Sequence, residues 1–170
     1  MSVELKEMDF SDINACVGLI REGFADAAEK YRFTSLNNPA HGAFITAERL
    51  LNEKENGTLF FYAVSDGQPV GFFGVDLREN EAILERITVL PRYQRQGIGA
   101  SLLKSAKAVA SSHGRTRMTA GIIADNEPLR RWYERNGFSV IREYPHPTLS
   151  FTIGLLGCRL DGAEEEPCLS

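Results

Sequence analysis

One stretch of the sequence, residues 81–112, passes from an apolar strand through a glycine-bearing turn directly into an amphipathic helix. The run of β-branched and aliphatic residues before Pro91 predicts a strand whose two faces are both largely buried. After the turn, Leu102 and Ala106 recur at helical spacing, and Gly114 supplies a stop signal for the helix. We therefore expect the rest of the chain to hold this turn in place.

The turn itself, residues 94–100, has the chemistry of an anion site. The first backbone N–H groups of a helix have no partner within the helix and lie at the positive end of its dipole. Gly97 and Gly99 carry no Cβ, so successive amides from about Arg95 onward can close around phosphate oxygens. Arg92 adds positive charge beside them. The alternative is a turn that needs glycine only for its backbone dihedrals.

Two other phosphate-binding loops are excluded by the spacing. No Lys-Ser or Lys-Thr pair immediately follows the glycines, as a Walker loop requires. Leu102 stands where a dinucleotide-binding fingerprint has its third glycine.

The pattern resembles the pyrophosphate loop of the GNAT superfamily, the acetyl-CoA-dependent N-acetyltransferases. The family signature is Gln/Arg-x-x-Gly-x-Gly/Ala after a strand, and here Gln94, Gly97 and Gly99 follow Val89 and Pro91.

A second block, residues 126–138, resembles the family's pattern of Asn, Tyr and Gly-Phe. It is formed by Asn126, Tyr133, Gly137 and Phe138. The resemblance reaches from the first strand to about Ile153, but only these two blocks are specific. Leu129 departs from the family pattern, where a smaller residue is frequent, and this leaves the acceptor preference open.

The resemblance implies an α+β GNAT fold, with a central mixed, mostly antiparallel seven-stranded sheet and helices on both faces. One domain is expected over residues 1–156, followed by an acidic tail over 157–170. The order of predicted elements agrees with this fold. The strands are expected near 3–8, 59–64, 70–77, 81–90, 118–124, 138–143 and 148–153, and the helices after Asp9 or Ser11, after Thr46, after the glycine turn and around Leu129.

Acetyl-CoA is implied as the acetyl donor, with no metal. The strand ending at Val89 and the strand near 118–123 are expected to splay apart, so that exposed backbone can pair with the pantetheine arm. By family analogy the Val89 N–H is the oxyanion donor. The residues expected to bind the coenzyme are Ile87, Val89, Arg92, Gln94, Arg95, Gln96, Gly97, Ile98, Gly99, Ala100 and Asn126.

Tyr133 is the candidate general acid for the leaving thiolate. A phenol of pKa about 10 that gives its proton to a thiolate of pKa about 8.5 does so uphill by about 2 kcal/mol, which a positioned hydrogen bond can overcome. The alternative is a core role, because Leu129, Trp132 and Tyr133 share a helix face.

Glu85 is the candidate base for the amine. Deprotonating a lysine-like amine of pKa about 10.4 at pH 7 costs about 4–5 kcal/mol, so a base or a water chain is needed. Strand alternation can aim Glu85 into the cleft, whereas the opposite parity aims it at solvent or at Arg86. Glu29 or water would then take the role.

The acceptor is expected to be a small-molecule amine or a peptide N-terminus. The resemblance places Phe24, Glu29 and Tyr31 in the region that covers the acceptor. Direct transfer is expected because no cysteine occupies either block. Two alternatives remain open: a catalytically idle CoA-binding or interaction module with the same fold, and a donor with a longer acyl group.

Composition limits the partners and the compartment. The net charge is −4 and no Lys/Arg-rich block is present, which argues against a nucleic-acid partner. Three cysteines without paired spacing indicate neither a disulfide framework nor a zinc site. No segment approaches the roughly 20 apolar residues that span a bilayer. We expect a cytoplasmic protein without a membrane partner, as a monomer or homodimer.

Overall fold

The computed structural model describes residues 2–162. This part of the chain contains seven strands and four α-helices. The strands are β1 (Val3–Glu7), β2 (Leu59–Ser65), β3 (Gln68–Leu77), β4 (Ala82–Val89), β5 (Arg117–Ile123), β6 (Ser139–Pro145) and β7 (Thr152–Arg159). The helices are α1 (Ile13–Lys30), α2 (Ala47–Glu55), α3 (Ile98–Ser112) and α4 (Glu127–Arg135), with short 3₁₀ turns at Phe10–Asp12, Gly42–Phe44 and Pro91–Tyr93.

The strands form one seven-stranded mixed sheet in the order β1-β2-β3-β4-β5-β7-β6. Antiparallel pairing joins β1 with β2, β2 with β3, β5 with β7 and β6 with β7. The parallel pair is β4 with β5, which places Ala82 opposite Met118 and Ile83 opposite Thr119. A parallel pair needs a long crossover, and α3 lies between these two strands in the chain. The predicted α+β fold is confirmed.

The described residues divide into two compact units. The first contains the residues up to Asp76 together with Glu85–Ala106, and the second contains Leu77–Leu84 together with the described residues from Lys107 onward.

In the first unit, helices cover both faces of β2 and β3. One face packs against α1 and α2, and its buried cluster consists of Met8, Ile13, Cys16, Leu19, Ile20, Ile45, Leu50, Phe60, Tyr62, Phe72 and Leu90. Burying a side chain such as Phe60 or Phe72 contributes roughly 1.5–3 kcal/mol. The opposite face carries Gly71, where an added Cβ would come within 2.7 Å of the Leu102 side chain on α3.

Local sequence signals explain the ends of several elements in this unit. The Thr46 hydroxyl accepts a hydrogen bond from the Arg49 N–H and caps α2. Asp66 and Gly67 both have positive φ, at 50° and 76°, which gives a two-residue hairpin turn between β2 and β3.

In the second unit, α4 is capped at both ends. The Asn126 side chain accepts a hydrogen bond from the Leu129 N–H. Gly137 follows the helix with φ of 90°, and the Lys107 ammonium donates to the Asn136 carbonyl at 2.5 Å. Asn126 and Gly137 thus mark the two ends of the helix expected around Leu129.

The last strand begins later and extends farther than predicted. We expected it over residues 148–153, but β7 runs from Thr152 to Arg159. The His146 ring is the reason, because its Nδ1 accepts hydrogen bonds from the Thr148 and Leu149 N–H groups and holds this segment as a turn. Gly157 lies inside β7, opposite both Thr119 and Ser139, so the expectation that the tail begins there was wrong. The acidic residues 163–170 lie outside the described part of the chain.

Candidate active site

The end of β4 presents one backbone edge away from β3. The Leu90 N–H donates to the Val70 carbonyl of β3 at 2.9 Å. Successive residues of an extended chain point their N–H groups to opposite sides, so the Val89 N–H and carbonyl point away from β3. The Val89 carbonyl accepts a hydrogen bond from the Gln94 side-chain amide at 2.9 Å. Gln94 thus ties the following loop to the strand end.

The loop that follows has the backbone of an anion nest. Arg95 and Gly97 are left-handed, with φ of 59° and 81°. Helix α3 begins at Ile98, and its first helical bond runs from the Ser101 N–H to the Gly97 carbonyl at 3.1 Å. The amides of residues 98–100 therefore precede the first helical bond and are available to a ligand. Gly99 and Ala100, which we expected in the turn, belong to the first turn of the helix.

The charged side chains beside this loop differ in their pairing. The Arg92 guanidinium donates to the Glu22 carboxylate at 2.7 Å and lies 5.3 Å from the Tyr93 ring centroid. Arg95 is exposed, as is Gln96, while the Ile98 side chain is buried. Ile98 can thus contact a ligand only through its backbone amide. To bind a phosphate, Arg92 would have to leave the Glu22 carboxylate or share its guanidinium between the two anions.

Glu85 lies on the face of the sheet that α1 and α2 cover. A Cβ added at Gly74 would come within 2.6 Å of the Phe60 ring and 3.2 Å of the Glu85 Cβ, so these three positions share one face. Burial raises the pKa of the Glu85 carboxyl, and the neighbouring Arg86 charge opposes this effect. A half-buried carboxylate with a raised pKa is a better proton acceptor than an exposed one.

A one-residue bulge in β4 puts Thr88 on the same face as Glu85. A Cβ added at Gly23 of α1 would come within 2.3 Å of the Thr88 hydroxyl, so Thr88 also faces the helices. Residues three apart on a regular strand lie on opposite faces. Gly74 of β3 lies beside Glu85 of β4, and Val70 of β3 is hydrogen-bonded to Leu90 after β4. Between these two contacts β3 takes four residue steps and the β4 side takes five, so the β4 side contains one extra residue.

The irregular residue of this bulge is Arg86, which has φ of 49°. Its guanidinium donates to both carboxylate oxygens of Glu53 on α2, at 2.5 and 2.8 Å. Arg49 donates to the same carboxylate at 3.0 Å. Burial opposes ionisation of Glu53, but the hydrogen bond and charge of Arg86 lower its pKa overall. No local sequence pattern indicates this pair, because its partners are 33 residues apart in the chain.

The acceptor residues named from the sequence lie at the end of α1. The Phe24 ring packs edge-on against His41 with 5.6 Å between centroids, and Tyr31 stacks on Phe33 at 5.9 Å. Glu29 is exposed. Burial lowers the pKa of His41, and its Nδ1 accepts the Ala43 N–H, so the neutral ring carries its proton on Nε2.

Asn126 and Tyr133 belong to the second unit. The Asn126 carboxamide oxygen caps α4, which leaves its NH₂ group as the donor for a ligand. The Tyr133 ring is 4% exposed and packs edge-on against Trp132 and Phe138, at 5.0 and 5.1 Å between centroids. Burial raises the pKa of Tyr133, so the phenol keeps its proton at neutral pH.

The first unit therefore contains the amides at the start of α3, the Val89 backbone and, on β4, Glu85. A family model described as "Acetyltransferase (GNAT) family" matches residues 21–138, which include both sequence blocks. The chain belongs to the GNAT acetyltransferase family.

Relatives of this GNAT acetyltransferase share the fold at low sequence identity. A relative named as an uncharacterized N-acetyltransferase of the pepI 3′ region in Lactobacillus delbrueckii subsp. lactis is 23% identical, over 84% of this chain and 87% of that protein. The PaiA N-acetyltransferase of Thermoplasma acidophilum, crystallised with coenzyme A, superposes with a TM-score of 0.75 at 23% identity, over 94% of this chain and 99% of that one.

Two further solved structures cover nearly the whole of this GNAT acetyltransferase. The ribosomal-protein-S18-alanine N-acetyltransferase of Escherichia coli has a TM-score of 0.75 at 19% identity, over 99% of this chain and 100% of that one. The structure of yncA from Salmonella typhimurium, solved with acetyl-CoA as its cofactor, has a TM-score of 0.74 at 18% identity, over 100% of both chains.

Residues 2–162 of this GNAT acetyltransferase contain no group of three or more His, Cys, Asp or Glu side chains placed to hold a metal ion. Along the same part of the chain, no helix is both long and apolar enough to cross a membrane.

Proposed function

We propose that this chain transfers the acetyl group of acetyl-CoA directly to the nitrogen of a primary amine, on a small molecule or a peptide N-terminus. The observation that carries the proposal is the left-handed loop before α3, which leaves the amides of residues 98–100 without helical partners and which Gln94 ties to the Val89 carbonyl. Two structural neighbours, PaiA and yncA, were crystallised with coenzyme A or acetyl-CoA.

In the proposed reaction, the loop amides bind the diphosphate, and the coenzyme's thioester lies at the end of β4. Glu85 takes a proton from the incoming ammonium group, and the neutral nitrogen attacks the thioester carbon. The N–C bond forms while the carbonyl oxygen gains negative charge, and the nitrogen, which is now positively charged, releases its extra proton to water before the intermediate collapses. The Val89 N–H, which points away from β3, donates a hydrogen bond to that oxygen.

The C–S bond then breaks, and the leaving sulfur needs a proton. We assign this proton to the Tyr133 hydroxyl, which regains a proton from solvent once the thiol has left. Because burial raises the pKa of Tyr133, proton transfer to sulfur costs more than the roughly 2 kcal/mol of an ordinary phenol. Tyr133 therefore acts first as a hydrogen-bond donor to the sulfur and releases its proton only as the thiolate charge develops.

The amine acceptor distinguishes this function from that of an idle coenzyme-binding module. The E. coli neighbour acts on the alanine terminus of a ribosomal protein, so the test panel should contain peptide N-termini as well as small amines. The assay measures thiol release from acetyl-CoA with each amine, beside calorimetry with coenzyme A. Acceptor-dependent thiol release supports transfer. Coenzyme binding without turnover for any acceptor supports the idle module, and faster release from a longer acyl-CoA supports a different donor.

A further inference from the structure

We propose that Glu53 is a positioning residue. Its two carboxylate oxygens bind the Arg86 guanidinium and thereby fix the left-handed backbone of β4 at residue 86. This backbone in turn sets the direction of the Glu85 side chain. The proposal rests on the proposed function in one respect, the role of Glu85 as the base. It assigns to α2 a part in catalysis that neither sequence block indicates.

The backbone conformation of Arg86 needs stabilisation from other residues. A residue other than glycine at positive φ pays about 1–2 kcal/mol relative to ordinary backbone, because its Cβ approaches the following carbonyl. Arg86 adopts φ of 49° in the middle of a strand, where its neighbours are extended. Such conformations persist only where the surrounding structure determines them.

The ion pair with Glu53 stabilises this backbone conformation. Two parallel N–H···O bonds match the planar guanidinium to the carboxylate and fix direction as well as distance. The Arg86 side chain is only 10% exposed and that of Glu53 26%, so solvent screens the pair less than it screens a surface pair.

Glu53 is itself fixed by α2. The fully buried Leu50 anchors this helix in the core, and the Glu53 carbonyl accepts the Thr58 N–H at 3.1 Å. Arg49 holds the same carboxylate from one turn earlier. The helix is thus a rigid support for the bulge in β4.

The direction of Glu85 depends on the bulge. The bulge is what allows Glu85 and Thr88 to face the helices together. If residue 86 became extended, one of these two side chains would turn to the opposite face, because the side-chain period of a strand is two residues. The charged groups acting on Glu85 would change with it: Arg86 on β4, Glu53 and Arg49 on α2, and Asp76 on β3.

Two substitutions at residue 86 separate backbone strain from charge. Arg86→Ala removes the guanidinium and leaves a strained residue, whereas Arg86→Gly removes the same guanidinium but adopts φ of 49° without strain. We expect Arg86→Ala to lower kcat at least tenfold below Arg86→Gly. In Arg86→Gly the acid limb of the kcat/KM profile should move to higher pH, because the charge that lowers the pKa of Glu85 is gone. Equal kcat values for the two variants would overturn the proposal.

Glu53→Gln tests the grip directly, with Arg49→Ala as the matched control. Glu53→Gln should lower kcat at least fivefold in the wild-type background and by less than twofold in the Arg86→Gly background, where there is no strain to hold. Arg49→Ala removes one hydrogen bond to Glu53 but leaves both bonds between Glu53 and Arg86, so it should lower kcat by clearly less than Glu53→Gln does. Equal losses in both backgrounds would assign Glu53 a merely structural role and overturn the proposal.

A crystal structure of Glu53→Gln keeps this test independent of the base. An extended residue 86 with a redirected Glu85 supports the proposal, and φ still near 49° with Glu85 in place overturns it. If Glu85→Gln were fully active while the crystal structure showed the redirection, the base assignment would fail and the positioning role of Glu53 would stand.

Discussion

Replacing Glu85 by Gln removes the proposed base while keeping the size of the side chain. At pH 7 an amine of pKa about 10.4 is neutral in only about one molecule in 2,500, a deficit of about 4–5 kcal/mol that the base offsets. We expect kcat/KM at pH 7 to fall by about 10²- to 10³-fold. The assay is thiol release from acetyl-CoA with the best acceptor of the panel, between pH 6 and pH 9.

The pH dependence of this variant has a definite sign. Burial raises the pKa of Glu85 above the ordinary 4.5, so the wild-type acid limb should lie above that value. In Glu85→Gln this limb should disappear, and the rate should rise about tenfold per pH unit toward the pKa of the amine. Glu79→Gln is the matched control, because Glu79 is exposed just before β4 and should leave the profile unchanged.

The pH dependence of the free energy of unfolding gives a second test of Glu85. A carboxyl whose pKa is raised on folding contributes stability only at low pH and loses that contribution as the pH rises through its folded value. Glu85→Gln should therefore raise the free energy of unfolding relative to wild type at pH 7–8, with a smaller gain near pH 4. Activity within twofold of wild type across the pH range would refute the assignment of Glu85 as the base.

Three further substitutions, with one control, test the rest of the site. Tyr133→Phe should lower kcat about 10- to 100-fold without changing coenzyme affinity, and an unchanged rate would remove its role as the acid. Gln94→Ala breaks the bond to the Val89 carbonyl, worth about 1 kcal/mol, and should lower kcat about fivefold; no change would leave that bond without function. Gly97→Ala and Gly67→Ala both put alanine at positive φ with open space around the new Cβ, so each should destabilise the fold by about 1–2 kcal/mol in denaturant unfolding. Calorimetry should show weaker coenzyme A binding for Gly97→Ala alone, and equal binding losses would contradict the loop assignment.

The parts of the fold carried by local signals could be predicted from the sequence. Thr46, Asn126 and Gly137 mark helix ends through their own backbone and side-chain chemistry, and the turn at Asp66 requires positive φ beside a glycine. The last strand was misplaced because His146 holds the preceding turn through ring hydrogen bonds, a role that its position in a loop does not reveal.

The surroundings of Glu85 could not be predicted, because they depend on tertiary contacts. Strand alternation left two directions open for its side chain, and the bulge at Arg86 decides between them. That bulge involves a non-glycine residue at positive φ, which local preference argues against. Its partner Glu53 lies on α2, and the strands β2 and β3 separate α2 from β4 in the chain, so no local pattern joins the two residues.

An NMR titration of the backbone amides with coenzyme A, beside one with pantetheine, tests most directly whether the start of α3 binds a diphosphate. Coenzyme A should produce large, saturable changes in the chemical shifts of the Ile98, Gly99 and Ala100 amides. Pantetheine has no diphosphate and should leave these chemical shifts unchanged. If coenzyme A binds while these amides do not move, or if neither compound binds at millimolar concentration, the loop before α3 is not the coenzyme site.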